Sequence, residues 1–117
     1  MQRITPPALA PAVFSSALAE AKSVHLAGDF VRARRLYENI LSHNPDEPGP
    51  QVLLAELDIR AGRLMTAKAR LERVVEKFPA SFETRVALAN VLEELGDVAA
   101  TTSLYREETA RQPDSKE

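Results

Sequence analysis

The side chains that could do chemistry in this 117-residue chain are few and far apart. There is no cysteine, which excludes disulfides and thiolate metal sites. The two histidines, His25 and His43, lie in different predicted elements, and no Ser/His/Asp set, catalytic carboxylate pair or phosphate-binding loop is present. We interpret His25 as a polar rim residue and His43 as a helix-end residue, and we expect no enzymatic activity, no metal site and no cofactor.

Basic side chains form the largest group that could bind a ligand. They occur in two segments: Arg32, Arg34 and Arg35 in the first, and Arg63, Lys68, Arg70, Arg73 and Lys77 in the second. Glu72 and Glu76 lie within the second segment, so we interpret both sets as a solvent-exposed face with local ion pairs. The net charge of −2 and the lack of aromatic stacking platforms argue against nucleic-acid binding.

The charge is unevenly distributed along the chain. Residues 1–45 carry five basic and three acidic side chains, residues 46–79 carry six of each, and residues 80–117 carry four basic and eight acidic ones. The two ends therefore have opposite net charge. Such a pattern is compatible with head-to-tail self-association.

Glycine and proline recur at one fixed interval, and this interval organises the chain. Gly28, Gly62 and Gly96 are 34 residues apart, as are Pro45, Pro79 and Pro113. Between these positions the apolar residues follow helical spacing, which predicts six helices of roughly 13 residues. Helices of that length are marginal alone in water, so the predicted helical hairpins must stack on one another.

The punctuation of these helices predicts their ends. We expect glycine to end the first helix of each hairpin, Asp29 and Ser81 to cap the helices that follow them, and Pro48 to lie in a first turn. The predicted boundaries are a mobile, proline-rich arm at 1–11, one domain at 12–113 with repeats at about 14–47, 48–81 and 82–113, and a tail at 114–117. In the third repeat Thr101, Glu108 and Thr109 replace apolar residues, which predicts a polar cap.

This pattern resembles the tetratricopeptide repeat (TPR) family, whose helix-turn-helix unit has 34 residues. The resemblance rests on small, aromatic, glycine and proline positions: Gly28, Ala33, Tyr37 and Pro45; Gly62, Ala67, Leu71 and Pro79; and Gly96, Tyr105 and Pro113. It is weaker in the first helix of each repeat, where Ala17, Gln51 and Arg85 replace the usual aromatic residue. The implied fold is all-α: an alpha-alpha superhelix, or TPR-like solenoid, of three repeats and six helices.

The resemblance also implies a binding groove on the concave side. In the family the first helix of each hairpin lines this groove, which takes peptides or helices of other proteins. The matching positions here are Leu18, Lys22, His25, Val52, Glu56, Ile59, Val86, Asn90 and Glu93. Leu18, Val52 and Val86 would form an apolar row suited to an amphipathic helix or a short apolar segment. Glu56, Glu83, Glu93 and Glu94 argue against the family's clamp for a C-terminal carboxylate.

Two kinds of function remain open from the sequence. The first is a non-enzymatic adaptor, assembly factor or secretion-type chaperone that binds a protein or peptide partner. The second is a self-associating structural subunit, such as a homodimer, and the chain's own arm could also cover the groove. We expect a cytoplasmic protein without a membrane span, because prolines interrupt the mildly apolar start and no stretch approaches ~20 apolar residues.

Overall fold

The fold is built of consecutive helical hairpins. The computed structural model describes residues 6–45, 47–97, 104, 106 and 107. It contains α1 (Pro11–Leu26), α2 (Phe30–His43), α3 (Pro48–Arg60), α4 (Leu64–Lys77) and α5 (Phe82–Glu94), and no strand occurs in this part of the chain. Residues 104, 106 and 107 are helical, but the rest of the predicted sixth helix lies outside the described residues. The same holds for the predicted polar cap at Thr101, Glu108 and Thr109.

The helix ends lie where glycine, proline and capping residues predicted them. Each glycine of the 34-residue series, Gly28, Gly62 and Gly96, has a positive φ, which a residue with a Cβ atom rarely adopts. The Asp29 carboxylate accepts the backbone N–H of Arg32 at 3.2 Å and caps α2. Ser81 Oγ accepts the backbone N–H of Thr84 at 3.3 Å and caps α5. These local choices fix where each hairpin turns.

The residues just before α1 lie against the end of α2. The backbone N–H of Leu9 donates to Asn44 Oδ1 at 3.1 Å, and the carbonyl oxygen of Pro7 is 3.0 Å from Nδ1 of His43. These two contacts join part of the predicted arm to the end of α2, and its mobility stays a prediction. Helix α1 also begins earlier than its apolar stripe suggested, with Pro11 in the first turn.

Two hydrophobic clusters form the core, and α3 contributes to both. The first contains Ala21, Ala33, Tyr37, Ile40, Leu54 and Leu57. The second contains Val52, Ala55, Ala67, Leu71, Leu88, Ala89, Val91, Leu92 and Leu104. Each helix packs against the next in sequence, and α3 also packs against α5. Helix α3 of the second hairpin thus packs against both neighbouring hairpins, as expected for stacked repeats.

Helix α5 exposes a short stripe of apolar side chains. Phe82 is 53% and Val86 is 40% exposed, whereas Leu88, Leu92 and the arginine Arg85 are buried. Phe82 and Val86 lie one turn apart, so they share a helix face that points away from α3 and α4. Helix α5 thus leaves two large apolar side chains open to solvent.

Candidate functional site

Three of the predicted groove residues meet in one cavity between the first and second hairpins. The cavity has a volume of about 180 Å³ and is lined by Lys22, His25, Leu26, Tyr37, Leu53 and Glu56. Lys22 and His25 lie one helical turn apart on α1, and Glu56 comes from α3. The lining combines two opposite charges with apolar surface, including Leu26, which is 88% exposed.

His25 is held in place by aromatic neighbours from α2. Its Nδ1 is 2.8 Å from the hydroxyl oxygen of Tyr37. Its ring lies edge-on to those of Tyr37 and Phe30, with centroids 5.7 Å apart in both pairs. The Arg60 guanidinium in turn covers the Phe30 ring at 4.3 Å from the centroid. The imidazole is therefore fixed in orientation and only half-buried, as suits a residue that contacts a ligand.

The tyrosine of this cavity stays protonated over a wide pH range. Burial, and then the negative charge of Glu56, raises the pKa of Tyr37 to about 12. A neutral hydroxyl can donate to a neutral imidazole or accept from a protonated one. The Tyr37 hydroxyl can therefore act as donor or acceptor towards Nδ1 of His25.

The remaining predicted groove residues divide into exposed and packed ones. Asn90 and Glu93 are exposed on α5. Leu18 and Ile59 are half-buried, each against a different core cluster. Val52 is only 4% exposed and belongs to the second cluster. The predicted apolar row is therefore wrong at Val52, because packing between α3 and its neighbours covers that side chain.

A buried ion network lies beside this site and was missed by sequence reasoning. Asp58 on α3 is fully buried, and its two carboxylate oxygens accept from Arg34 at 2.7 Å and from Arg70 at 3.2 Å. Arg70 also donates to the side-chain oxygen of Gln51 at 3.0 Å. One aspartate thus connects α2, α3 and α4.

The network corrects the interpretation of the basic segments. Arg34 and Arg70 were assigned to a solvated face, yet their side chains are 25% and 23% exposed and bind the buried carboxylate. Only the expected local ion pairing holds, since Lys68 Nζ lies 3.9 Å from a carboxylate oxygen of Glu72. The repeat itself carried a signal, because Asp58 stands 34 residues from two apolar residues, Val24 and Leu92.

Neither a metal centre nor a membrane-crossing helix emerges from the described residues. Nowhere in that part of the chain do three His, Cys, Asp or Glu side chains gather as metal ligands would. No helix there is both long and apolar enough to cross a bilayer.

Known proteins match the chain over most of this structure. A family model described as tetratricopeptide repeat matches residues 25–80. Two curated relatives are a "Putative cellulose synthase operon protein C" of Escherichia coli O157:H7 and a "Cellulose synthase operon protein C" of Escherichia coli strain K12. Each is 30% identical over 92 residues, which make up 76% of this chain but 8% of the relative.

Proposed function

The chain carries tetratricopeptide repeats, and from that premise we propose that it is a non-enzymatic protein-binding module. Stacked helical repeats present an extended concave surface to other proteins. Here that surface is formed by the first helices of the hairpins, α1, α3 and α5. Its ligand is an apolar or helical segment of a partner protein.

One observation carries this proposal: Lys22, His25 and Glu56 line a single cavity beside the exposed Leu26. An amphipathic helix presents apolar side chains flanked by charged ones, and this cavity offers the complementary set. His25 is already held by Tyr37 and Phe30. Binding therefore orders little in the module, which favours affinity.

The exposed stripe of α5 adds apolar surface to the first helices of the hairpins. Phe82 and Val86 are both at least two-fifths exposed and lie one helical turn apart. Leaving two large apolar side chains in water is unfavourable, and adjacent exposed apolar residues commonly mark interaction sites. This supports an apolar rather than a fully charged partner segment.

Site-specific photocrosslinking tests the proposal. A photoreactive amino acid is placed at position 26, at position 86, or at position 65 on α4, where Met65 is 63% exposed and serves as the matched control. We expect one protein adduct of the same mass from positions 26 and 86 and none from position 65. Leu26→Asp and Val86→Asp should weaken capture of that protein, and Met65→Asp should not. Equal labelling from position 65, or none from positions 26 and 86, would contradict the proposal.

The curated relatives suggest where to look first for a partner. Both are named for a cellulose synthase operon, and only a small part of each matches this chain. We propose a protein of a polysaccharide-synthesis assembly as the first partner to test in the crosslinking experiment. An adduct with an unrelated protein would leave the groove proposal intact and exclude this partner class.

A second candidate function, self-association, is favoured by the charge asymmetry of the chain. Counting Lys, Arg, Asp and Glu side chains, residues 1–45 have a net charge of +2 and residues 80–117 have a net charge of −4. Pairing of exposed charges strengthens as ionic strength falls. Sedimentation velocity at about 0.01 M and about 1 M ionic strength should then show a larger particle at the lower value. A monomer under both conditions would exclude this candidate.

A further inference from the structure

A second and larger cavity lies where the turn between α3 and α4 faces the start of α2. Its volume is about 800 Å³, within the range of ligand sites in proteins. It is lined by Phe30, Val31, Arg34, Leu57, Arg60, Ala61 and Arg63. No acidic residue belongs to this lining. The cavity therefore combines an apolar wall with three guanidinium groups, and the groove proposed above does not use it.

Two of the three arginines are available to a ligand. Arg34 is bound to Asp58 at 2.7 Å and lies 3.9 Å from the half-exposed Glu38. In contrast, neither Arg60 nor Arg63 has a carboxylate of the described residues within 4.0 Å. The positive charge at the rim of the cavity is thus only partly balanced by the protein itself.

The arginine side chains are partly held before any ligand arrives. The Arg60 guanidinium rests on the Phe30 ring at 4.3 Å from its centroid. Arg34 is fixed by its bond to the buried Asp58. Ordering a long side chain on binding costs conformational entropy, and this cost is reduced for residues already in place.

Arg63 occupies a position where a different residue would stabilise the helix. Thirty-four residues earlier the chain has Asp29, which caps α2, whereas the N-cap of α4 is Arg63 and makes no side-chain capping bond. An Asp or Ser side chain at this position typically stabilises a helix by accepting a free backbone N–H. The chain thus lacks a cap at this turn and instead places a cation in the cavity.

We propose that this cavity binds an acidic, apolar segment of a protein, in which aspartate or glutamate flanks an aromatic or branched residue. The apolar side chain packs against Val31, which is 70% exposed, and the carboxylates accept hydrogen bonds from Arg60 and Arg63. Guanidinium and carboxylate groups match in geometry and can form two parallel bonds. A nucleic acid fits less well, because Arg60 already covers the face of Phe30 on which a base would stack.

A titration with a defined peptide tests this inference. The probe is an acetylated and amidated Asp-Phe-Asp-Leu-Asp peptide, and the matched control replaces each aspartate by asparagine. Two-dimensional ¹H–¹⁵N NMR of the full chain should show saturable shifts at the amides of Ala61, Gly62 and Arg63 with the acidic peptide alone. The apparent affinity should fall as salt is added, because charge pairs at the rim are screened.

Variants of single arginines locate the contact. Arg60→Gln and Arg63→Gln should each weaken binding of the acidic peptide about tenfold, as expected for loss of a hydrogen bond to a charged group. Arg35→Gln is the control, because Arg35 is exposed on α2 but does not line the cavity. Arg63→Gln alters an exposed turn residue, so its circular dichroism spectrum should match that of the wild type.

Several results would overturn the inference. One is equal binding of the asparagine peptide, and another is an equal loss of affinity in Arg35→Gln. Shifts confined to Lys22, His25 and Glu56 would place the acidic peptide in the groove instead. Displacement of the peptide by an equal concentration of oligothymidylate would indicate a nucleic-acid site. None of these results affects the crosslinking test of the groove, so the two proposals can fail separately.

Discussion

The second repeat and its two neighbours solve the same packing problem with different side chains. At one aligned position the first and third repeats have Val24 and Leu92, and the second has Asp58. At another the flanking repeats have Leu36 and Leu104, and the second has Arg70. Leu92 and Leu104 both lie in the second core cluster, whereas Asp58 and Arg70 bind each other. The second repeat thus has an ion pair where the third repeat has an apolar pair.

The difference teaches that a position that is apolar in one repeat can hold a charged side chain in another. Asp58 is as inaccessible as the leucine that replaces it in the third repeat. Burying a carboxylate is costly unless its oxygens are paired and hydrogen-bonded, and here two arginines from different helices do this. Because these bonds require α2 and α4 at defined places around α3, the network favours one arrangement of the first two hairpins.

Removing the aspartate should have the largest effect. Asp58→Ala leaves Arg34 and Arg70 in a partly buried site without their carboxylate, and loss of one partner of a buried pair typically costs about 3–5 kcal/mol. Both arginines can regain some water, so we expect about 3 kcal/mol from urea unfolding followed by circular dichroism. Glu72→Ala is the control, because it removes an exposed carboxylate that does not belong to the Asp58 network. Equal stability of the two variants would contradict the role given to Asp58.

Copying the third repeat into the second should restore part of that loss, because Arg34 lacks its carboxylate in both variants. The double variant Asp58→Leu with Arg70→Leu places the pair found at Leu92 and Leu104 in the aligned positions. Replacement of a buried ion pair by packed apolar residues is commonly neutral or stabilising. We expect a gain of about 2–3 kcal/mol over Asp58→Ala in the same unfolding assay. A double variant no more stable than Asp58→Ala would show that the two slots differ in shape as well as in charge.

The first repeat should lose stability in alkali where the second does not. Tyr37 aligns with Leu71, and both are fully buried. The pKa of Tyr37 is raised from 10.0 to about 12 in the folded chain. Above pH 10 the unfolded chain therefore releases this proton first, so stability is intact below that pH and falls as pH rises towards 12.

The expected loss is about 1 kcal/mol by about pH 11 and on the order of 2 kcal/mol by about pH 12. It is measured as the change in urea midpoint between about pH 8 and about pH 11, in the wild type and in Tyr37→Phe. Contributions from Tyr105 and the lysines are common to both and cancel in the comparison. The same pH dependence in the two proteins would mean that Tyr37 does not carry it.

The sequence predicted the repeat and the turns because these depend on local chemistry. A positive φ at Gly28, Gly62 and Gly96, and the caps at Asp29 and Ser81, need only the residues beside them. The family resemblance named Lys22, His25 and Glu56 as groove residues, and these three side chains line one cavity.

Burial could not be predicted as well, because it depends on which neighbour covers each helix face. Val52 faces a second helix layer and is buried, while its repeat equivalent Val86 is exposed. Arg34 and Arg70 resemble the exposed arginines beside them in sequence, and only the position of Asp58 distinguishes them. Comparing the repeats at positions 24, 58 and 92 would have indicated this aspartate as an exception within an apolar series.

The smallest predicted effect separates stability from binding at the start of α4. Arg63→Asp gives the second repeat the residue found at Asp29, whose side chain caps α2. A new cap should stabilise the chain by about 0.5–1 kcal/mol, measured by urea unfolding. The same change puts a negative charge into the arginine cavity, so binding of the acidic peptide should be lost.

If Arg63 had only a structural role, both measurements would move in the same direction. A more stable chain that no longer binds shows that the arginine is retained at the expense of the helix cap, and a more stable chain that still binds removes Arg63 from the proposed contact.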